Sequence, residues 1–220
     1  MSTFPNSPKL LKGGLVILAP GGATVRRVIA LQYNPDSLTR SYQVQGAGGE
    51  GGNERAQPFR FKGPAIETIK LDAEMDATDQ LEFPDQNPVT VDVGIAPQLA
   101  ALEMLVNPSS AELLAVDADA RGGTLEIVPP EAPLVLLVWS RTRVAPVRVT
   151  EFSVTEEAFD PLLNPIRAKV SLGLRVLTTD DLGYAHRGGT LFLAHLRTRE
   201  ALAGRVSGAT LQSLGLSNLP

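Results

Sequence analysis

Three carboxylates at alternate positions, Asp72, Glu74 and Asp76, come nearest to a chemical constellation in this sequence. On an extended strand such positions share one face, where carboxylates can hold a hard cation or form an acid/base pair. Their spacing along a strand is fixed, and no second group of His, Asn or turn ligands lies near them. A solvated face is therefore the favoured reading, a face lining a lumen is a further one, and a metal or hydrolytic site is the least favoured. Gly46, Gly48 and Gly51 satisfy G-x-G-x-x-G after a strand, but Gly52–Pro58 opens no helix and no Lys-Ser/Thr pair completes a phosphate loop. His186 and His195, the only histidines, stand in no H-E-x-x-H or H-x-E pattern, and no G-x-S-x-G elbow supplies a nucleophile. Both are expected at a surface or interface, and Trp139 in the core. The expectation is a protein that is not an enzyme, with no catalytic, cofactor-binding or metal residue and no cofactor.

The elements that carry these residues are mostly strands. In Phe159–Leu177, alternation runs from Ile166 to Val176. Ile166, Ala168, Val170, Leu172, Leu174 and Val176 take one side, and Arg167, Lys169, Ser171, Gly173 and Arg175 the other. Asp160-Pro161 and Asn164-Pro165 are turn formers ahead of it. Ile69–Asp76 alternates as cleanly, with Lys70, Asp72, Glu74 and Asp76 outward. From Glu67 to Asp92 there are eight acids against Lys70 alone, so this is the acidic part of the chain. Further strands are predicted at Leu15–Ala19, Thr24–Tyr33, Leu38–Val44, Thr124–Val128, Leu134–Ser140 and Val144–Thr155. Ile95–Val106 has a helical stripe of Ile95, Leu99, Leu102 and Leu105 ended by Asn107-Pro108. Ser109–Arg121 reads as a loop or short turn. Thr190–Val206 reads as a helix whose smeared stripe suits packing on a partner, and Ser207–Pro220 as loose chain. The predicted organisation is a domain over 1–177, with a flexible loop at 46–57, and a C-terminal extension over 178–220.

Bulk composition narrows the class. Twenty glycines and seventeen prolines with few aromatics suit a turn-rich β protein better than a helical bundle. The absence of cysteine excludes disulfides, thiolate metal sites and cysteine nucleophiles. A net charge of −4 argues against generic nucleic-acid binding. The longest apolar run, Ala132–Trp139, is strand-sized and too short for a membrane span, and the N-terminus lacks a full signal-peptide apolar region.

Three pieces, in order, carry a family resemblance: Leu31–Leu38 with its Tyr33-Asn34-Pro35-Asp36 turn, the acidic strand Glu67–Met75, and Phe159–Leu177 with Leu163–Ala168 (LNPIRA) opening it. Together they resemble the tube-protein family of contractile injection systems, and within it the baseplate adaptor that joins inner tube to spike. The resemblance implies a fold that is mainly β with one or two helices (α+β), a phage tail-tube-like β-barrel or sandwich with a flanking helix. It also implies a structural, non-enzymatic role in a ring, expected as a hexamer, with the inner tube protein, the spike protein and other baseplate subunits as partners. Neither nucleic acid nor membrane insertion is expected. Assembly in the cytoplasm as part of a phage-tail-like particle, which could be released, is the implied location. Longer members carry a LysM module, which this sequence is expected to lack. Under this reading Asp72, Glu74 and Asp76, and Arg167, Lys169 and Arg175, are candidates for lumen or interface, with the acidic and basic rows on sides of the barrel that see different environments. The alternative is a small β-barrel module that binds a ligand or peptide.

Overall fold

The computed structural model describes residues 11–19, 21–22, 24–46, 60–122 and 132–219. Seven antiparallel strands form one sheet: β1 (Gly14–Leu18), β2 (Val25–Ala30), β3 (Leu38–Gln43), β4 (Ile66–Asp76), β5 (Val135–Ser140), β6 (Arg143–Phe159) and β7 (Pro165–Val176). Their order is β2-β1-β5-β6-β7-β4-β3. The long β6 joins two half-sheets, because β5 pairs with its first residues, 143–147, and β7 with 147–159. The fold is thus mainly β with flanking helices, as the alternation predicted.

The sheet is wrapped about a main core. Leu15, Val135, Leu137 and Val147 from one half meet Ile69, Leu71, Val170, Leu172 and Leu174 from the other in one buried cluster. The inward side of β7 is the driest part, with Ala168, Val170 and Leu174 fully enclosed. Gln32, just beyond β2, draws the two ends together: its side-chain amide donates to the carbonyl of Asp76 at 2.5 Å and accepts from the Asp76 N–H at 2.9 Å. Among the described residues the strand pairings end at β2 and β3.

Helices occupy the two ends of this curl. At one end lie α1 (Thr78–Leu81), α2 (Pro88–Val93) and α3 (Ala96–Glu103). The N–H groups of Ala77 and Ile95 donate to the carbonyls of Ile166 and Pro165, each at 2.9 Å, and Ile95, Leu99 and Leu102 enter the core. Gly94 makes this junction possible: its φ is +60°, and a side chain there would collide with the Pro165 carbonyl. At the other end α5 (Thr179–Leu182) and α6 (Arg187–Ala203) pack on their own chain. Phe192 joins the main core, while Leu182 and Leu191 cover a second cluster of Leu18, Leu134 and Leu136. Residues 178–203 thus pack in part on the sheet, with Gly188, Gly189, Phe192 and His195 of α6 buried and Leu196 and Leu202 exposed. The stretch beyond α6, 204–219, is exposed throughout, with a short 3-10 turn at Leu211–Leu214.

Two other expectations change. The segment read as a loop at Ser109–Arg121 is a helix, α4 (Ser110–Arg121), because Ser109 and Glu112 form a reciprocal capping box. The expected helix Ile95–Val106 ends earlier, at Glu103. The predicted strand Thr124–Val128 and, apart from Gly46, the glycine loop lie outside the described residues; Gly46 itself bridges Phe61.

Both proline motifs act as clamps. Asn34 accepts from the Gly13 N–H and donates to the Leu11 carbonyl, each at 2.8 Å, which pins the approach to β1. Asn164 donates to Asp160 and to the Asp92 carbonyl, and Asp160 accepts from the Leu162 and Asn164 N–H groups. This network holds Leu163 at φ +66°, a left-handed conformation that disfavours residues with a Cβ, while leaving its side chain exposed. Leu163→Gly should therefore raise stability by up to about 1 kcal/mol in denaturant melts. A clear loss of stability would show that the Leu163 side chain packs in the isolated chain.

Candidate functional site

The outward side of β3, β4, β7 and the second half of β6 is a continuous polar surface. β4 and β7 are hydrogen-bonded neighbours in a register that sets Asp72 opposite Ser171, Glu74 opposite Lys169 and Asp76 opposite Arg167. Arg167 contacts Asp76 at 2.7 Å, Ser171 donates to Asp72 at 2.5 Å, and Lys169 lies 3.1 Å from Glu157 and 3.9 Å from Glu74. On the flanks Lys70 meets Glu151 at 2.7 Å, and Arg175 meets Asp181 at 2.7 Å. The acidic and basic rows thus share one face and pair with each other within the chain. The expectation that they look into different environments on two sides of a barrel is corrected by this register.

The resulting face is balanced. Asp72, Glu74, Asp76, Glu151 and Glu157 stand against Lys70, Arg148, Arg167, Lys169 and Arg175, with Ser37, Thr39, Ser41, Ser153, Thr155 and Ser171 between them. Most of these pairs are solvent-exposed, where an ion pair contributes roughly 0–1 kcal/mol, so their consequence is a hydrated, nearly neutral surface rather than stability. Asp76 has a further duty. It accepts from the side chain and backbone N–H of Thr78 at the start of α1, and these bonds, Thr78 first and Arg167 after, hold its carboxyl below the ordinary aspartate value. Hydrogen bonding to Glu157, reinforced by the charges of Glu157 and Glu74, raises the Lys169 ammonium above the ordinary value. No group of three His, Cys, Asp or Glu side chains among the described residues is arranged to hold a metal ion. Clefts of about 370 and 330 Å³ on this face are open depressions between side chains such as Lys70 and Glu151, or Glu74 and Lys169.

A second polar cluster lies at the α6 end, and sequence reasoning missed it. Glu67, 3% exposed, receives both contacts of Arg199 Nη2, at 2.7 and 2.8 Å, and the Tyr42 hydroxyl at 2.8 Å; Arg40 lies 3.6 Å away. The Arg40 and Arg199 guanidinium groups also stand 5.9 and 5.5 Å from the Tyr42 ring centroid. Burial, together with the bond to Glu67, pushes the Tyr42 phenol above its usual value. One turn before Arg199, His195 is buried with no hydrogen-bond partner at either ring nitrogen. It is a core residue rather than the surface or interface one expected. Its neutral form is held there by desolvation and then by the charges of Arg199, Arg40 and Arg143, against the opposite pull of Glu67. Two signals could have found this cluster. Glu67 falls on the inward register of β4 with Ile69 and Leu71, where a charge needs a partner. Gly188, Phe192, His195 and Arg199 recur at spacings of four, three and four on α6.

No family model matches the chain, and a search of curated proteins gives no match. Among solved structures, 75% of this chain aligns with 90% of a chain from the tail of an empty GTA (gene transfer agent) particle computed with helical refinement and C6 symmetry. The identity is 8% and the TM-score 0.29. At that score the likeness does not establish a shared fold. The class defined by the fold itself is an α+β protein built on one curled antiparallel sheet.

The His195 environment fixes the sign of a pH effect. Because the fold depresses the imidazole pKa, the unfolded chain binds more protons just below pH about 6.5, and stability falls as pH falls through that window. His195→Leu should therefore lose less melting temperature than the wild type between pH 7.5 and 5.5, His186 being common to both. Equal losses would show that His195 titrates as in the unfolded chain.

Proposed function

We propose that this protein is a structural subunit of a contractile, phage-tail-like injection system, a baseplate or tube adaptor that forms a ring between inner tube and spike. One observation carries the reading. The described surface divides into a broad polar sheet face with balanced charge and a set of apolar segments that the described residues leave uncovered. The latter include Val25 and Val28 on the edge strand β2, Leu113 and Leu114 on α4, Leu162 and Leu163 at the β6–β7 turn, and Leu214 and Leu219 near the end, all more than half exposed. Uncovered apolar surface on several sides suits a subunit that is buried by neighbours on several sides. The sequence motifs agree with it, since Tyr33–Asp36 and Leu163–Ala168 sit at the clamps that hold the sheet and α1–α3 together.

In this reading the balanced face lines the lumen. A wall that is densely charged yet nearly neutral gives a passing protein little net attraction whether the cargo is acidic or basic, and leaves few apolar contacts for it to stick to. This replaces the simpler picture of an acid-lined passage, since Lys169 and Arg167 stand among the acids. The ligand-binding alternative has less in its favour, because the clefts on the described residues are open and lined by charged or mixed side chains.

The test is assembly in the producing cell. Deleting the gene should yield particles without a joined tube and spike in negative-stain micrographs, and a tagged copy should co-purify with tube and spike proteins. Intact, firing particles from the deletion strain would refute the adaptor role.

A further inference from the structure

α4 is twelve residues long and none of them is buried, although seven are apolar. At 100° per residue these form two flanks. Leu114 and Ala118 lie on one with Ala111 and Ala115, and Leu113, Val116 and Ala120 lie on the other. Charged rows separate them, with Glu112 and Asp119 on one side and the Asp117–Arg121 ion pair on the other. A helix lying on a single surface needs one apolar stripe, so two stripes fit a helix seated in a groove.

The same chain presents such a groove. A cleft of about 410 Å³ is lined by apolar Ile17, Leu105, Val106 and Pro133 together with Arg26 and Arg27 of β2. Only the first turn of the chain's own α4 borders this cleft, through Ser109 and Glu112, and Arg26 lies close enough to Glu112 to lower its pKa, after the stronger effect of the bonds to Ser109. The later turns, which carry Leu113, Leu114, Asp117 and Asp119, are not part of its lining. Arg27 and Asp119 form no ion pair among the described residues.

We infer that the later turns of α4 dock in the Arg26/Arg27 cleft of a second copy of this chain. An apolar flank would meet the cleft lining, and Asp119 would face the arginines, Asp117 staying with Arg121 on the other side of the helix. Charge complementarity chooses the occupant, since Asp119, which has no ion pair among the described residues, comes to a groove whose β2 edge supplies two adjacent cations. A contact between two different patches of identical chains is head-to-tail, which closes into a ring when the rotation allows. The inference rests on the self-assembly reading above and adds the surface through which it occurs.

Because the chain has no cysteine, it offers a clean test. Full-length Arg27→Cys and Asp119→Cys variants, each able to form only intermolecular links, are mixed and treated with a short bis-maleimide. The mixed dimer should exceed either homodimer several-fold, and Arg27→Asp should weaken assembly that Asp119→Arg restores. Both sites are exposed, so melting curves near the wild type verify folding. If the protein assembles yet gives no excess of mixed dimer and tolerates the charge reversal, this interface is overturned and the ring reading stands. If no self-association is seen by any readout, both fall.

Discussion

The structure depends on what β7 does with its two sides. Its inward side chains are buried in the same cluster as strands from both halves of the sheet and α3, so removing any one opens the centre of the main core. Its outward side chains are paired across the strand with the acids of β4 in the same register. One alternation therefore sets both the hydrophobic contact that wraps the sheet and the charge pattern of the exposed face. A one-residue slip would put Arg167 and Lys169 into the core, so the register is strongly specified.

The two ends of the curl are stabilised by different means. The α1–α3 end is joined to β7 by backbone hydrogen bonds at Pro165 and Ile166, which need Gly94 and the Asp160–Asn164 network to bring the chains together. The α6 end is joined by side chains: Phe192 enters the core, and Arg199 neutralises Glu67 on the inward register of β4. A buried charge left without its partner is costly, whereas a pair contributes modestly, so Arg199 and Glu67 act chiefly to specify how α6 docks. His195, one turn before Arg199, is buried beside them without a hydrogen-bond partner at either ring nitrogen.

Period-two alternation made the strands legible. β4 and β7 could be read almost residue by residue, and the predicted and observed strands overlap wherever residues are described. What alternation cannot give is which strands are neighbours, and that is why the acidic and basic rows were placed on different sides of the molecule. Pairing β4 with β7 is a non-local fact, visible only when Asp76 meets Arg167 across ninety-one positions. The capping box at Ser109 and Glu112 was legible but outweighed by the polar look of the segment. The α6 stripe was blurred because His195 and Arg199 occupy inward positions as a neutral ring and a paired charge, neither of which registers as apolar.

The central claim is that the uncovered apolar segments are interfaces in a self-assembling subunit. The most direct measurement is the mass of the purified full-length protein by sedimentation as concentration rises. The account predicts discrete multimers that grow at the expense of the monomer, with a mutant in Leu113 and Leu114 shifted back towards monomer. A single monomeric species at every concentration, unchanged in that mutant, would contradict it.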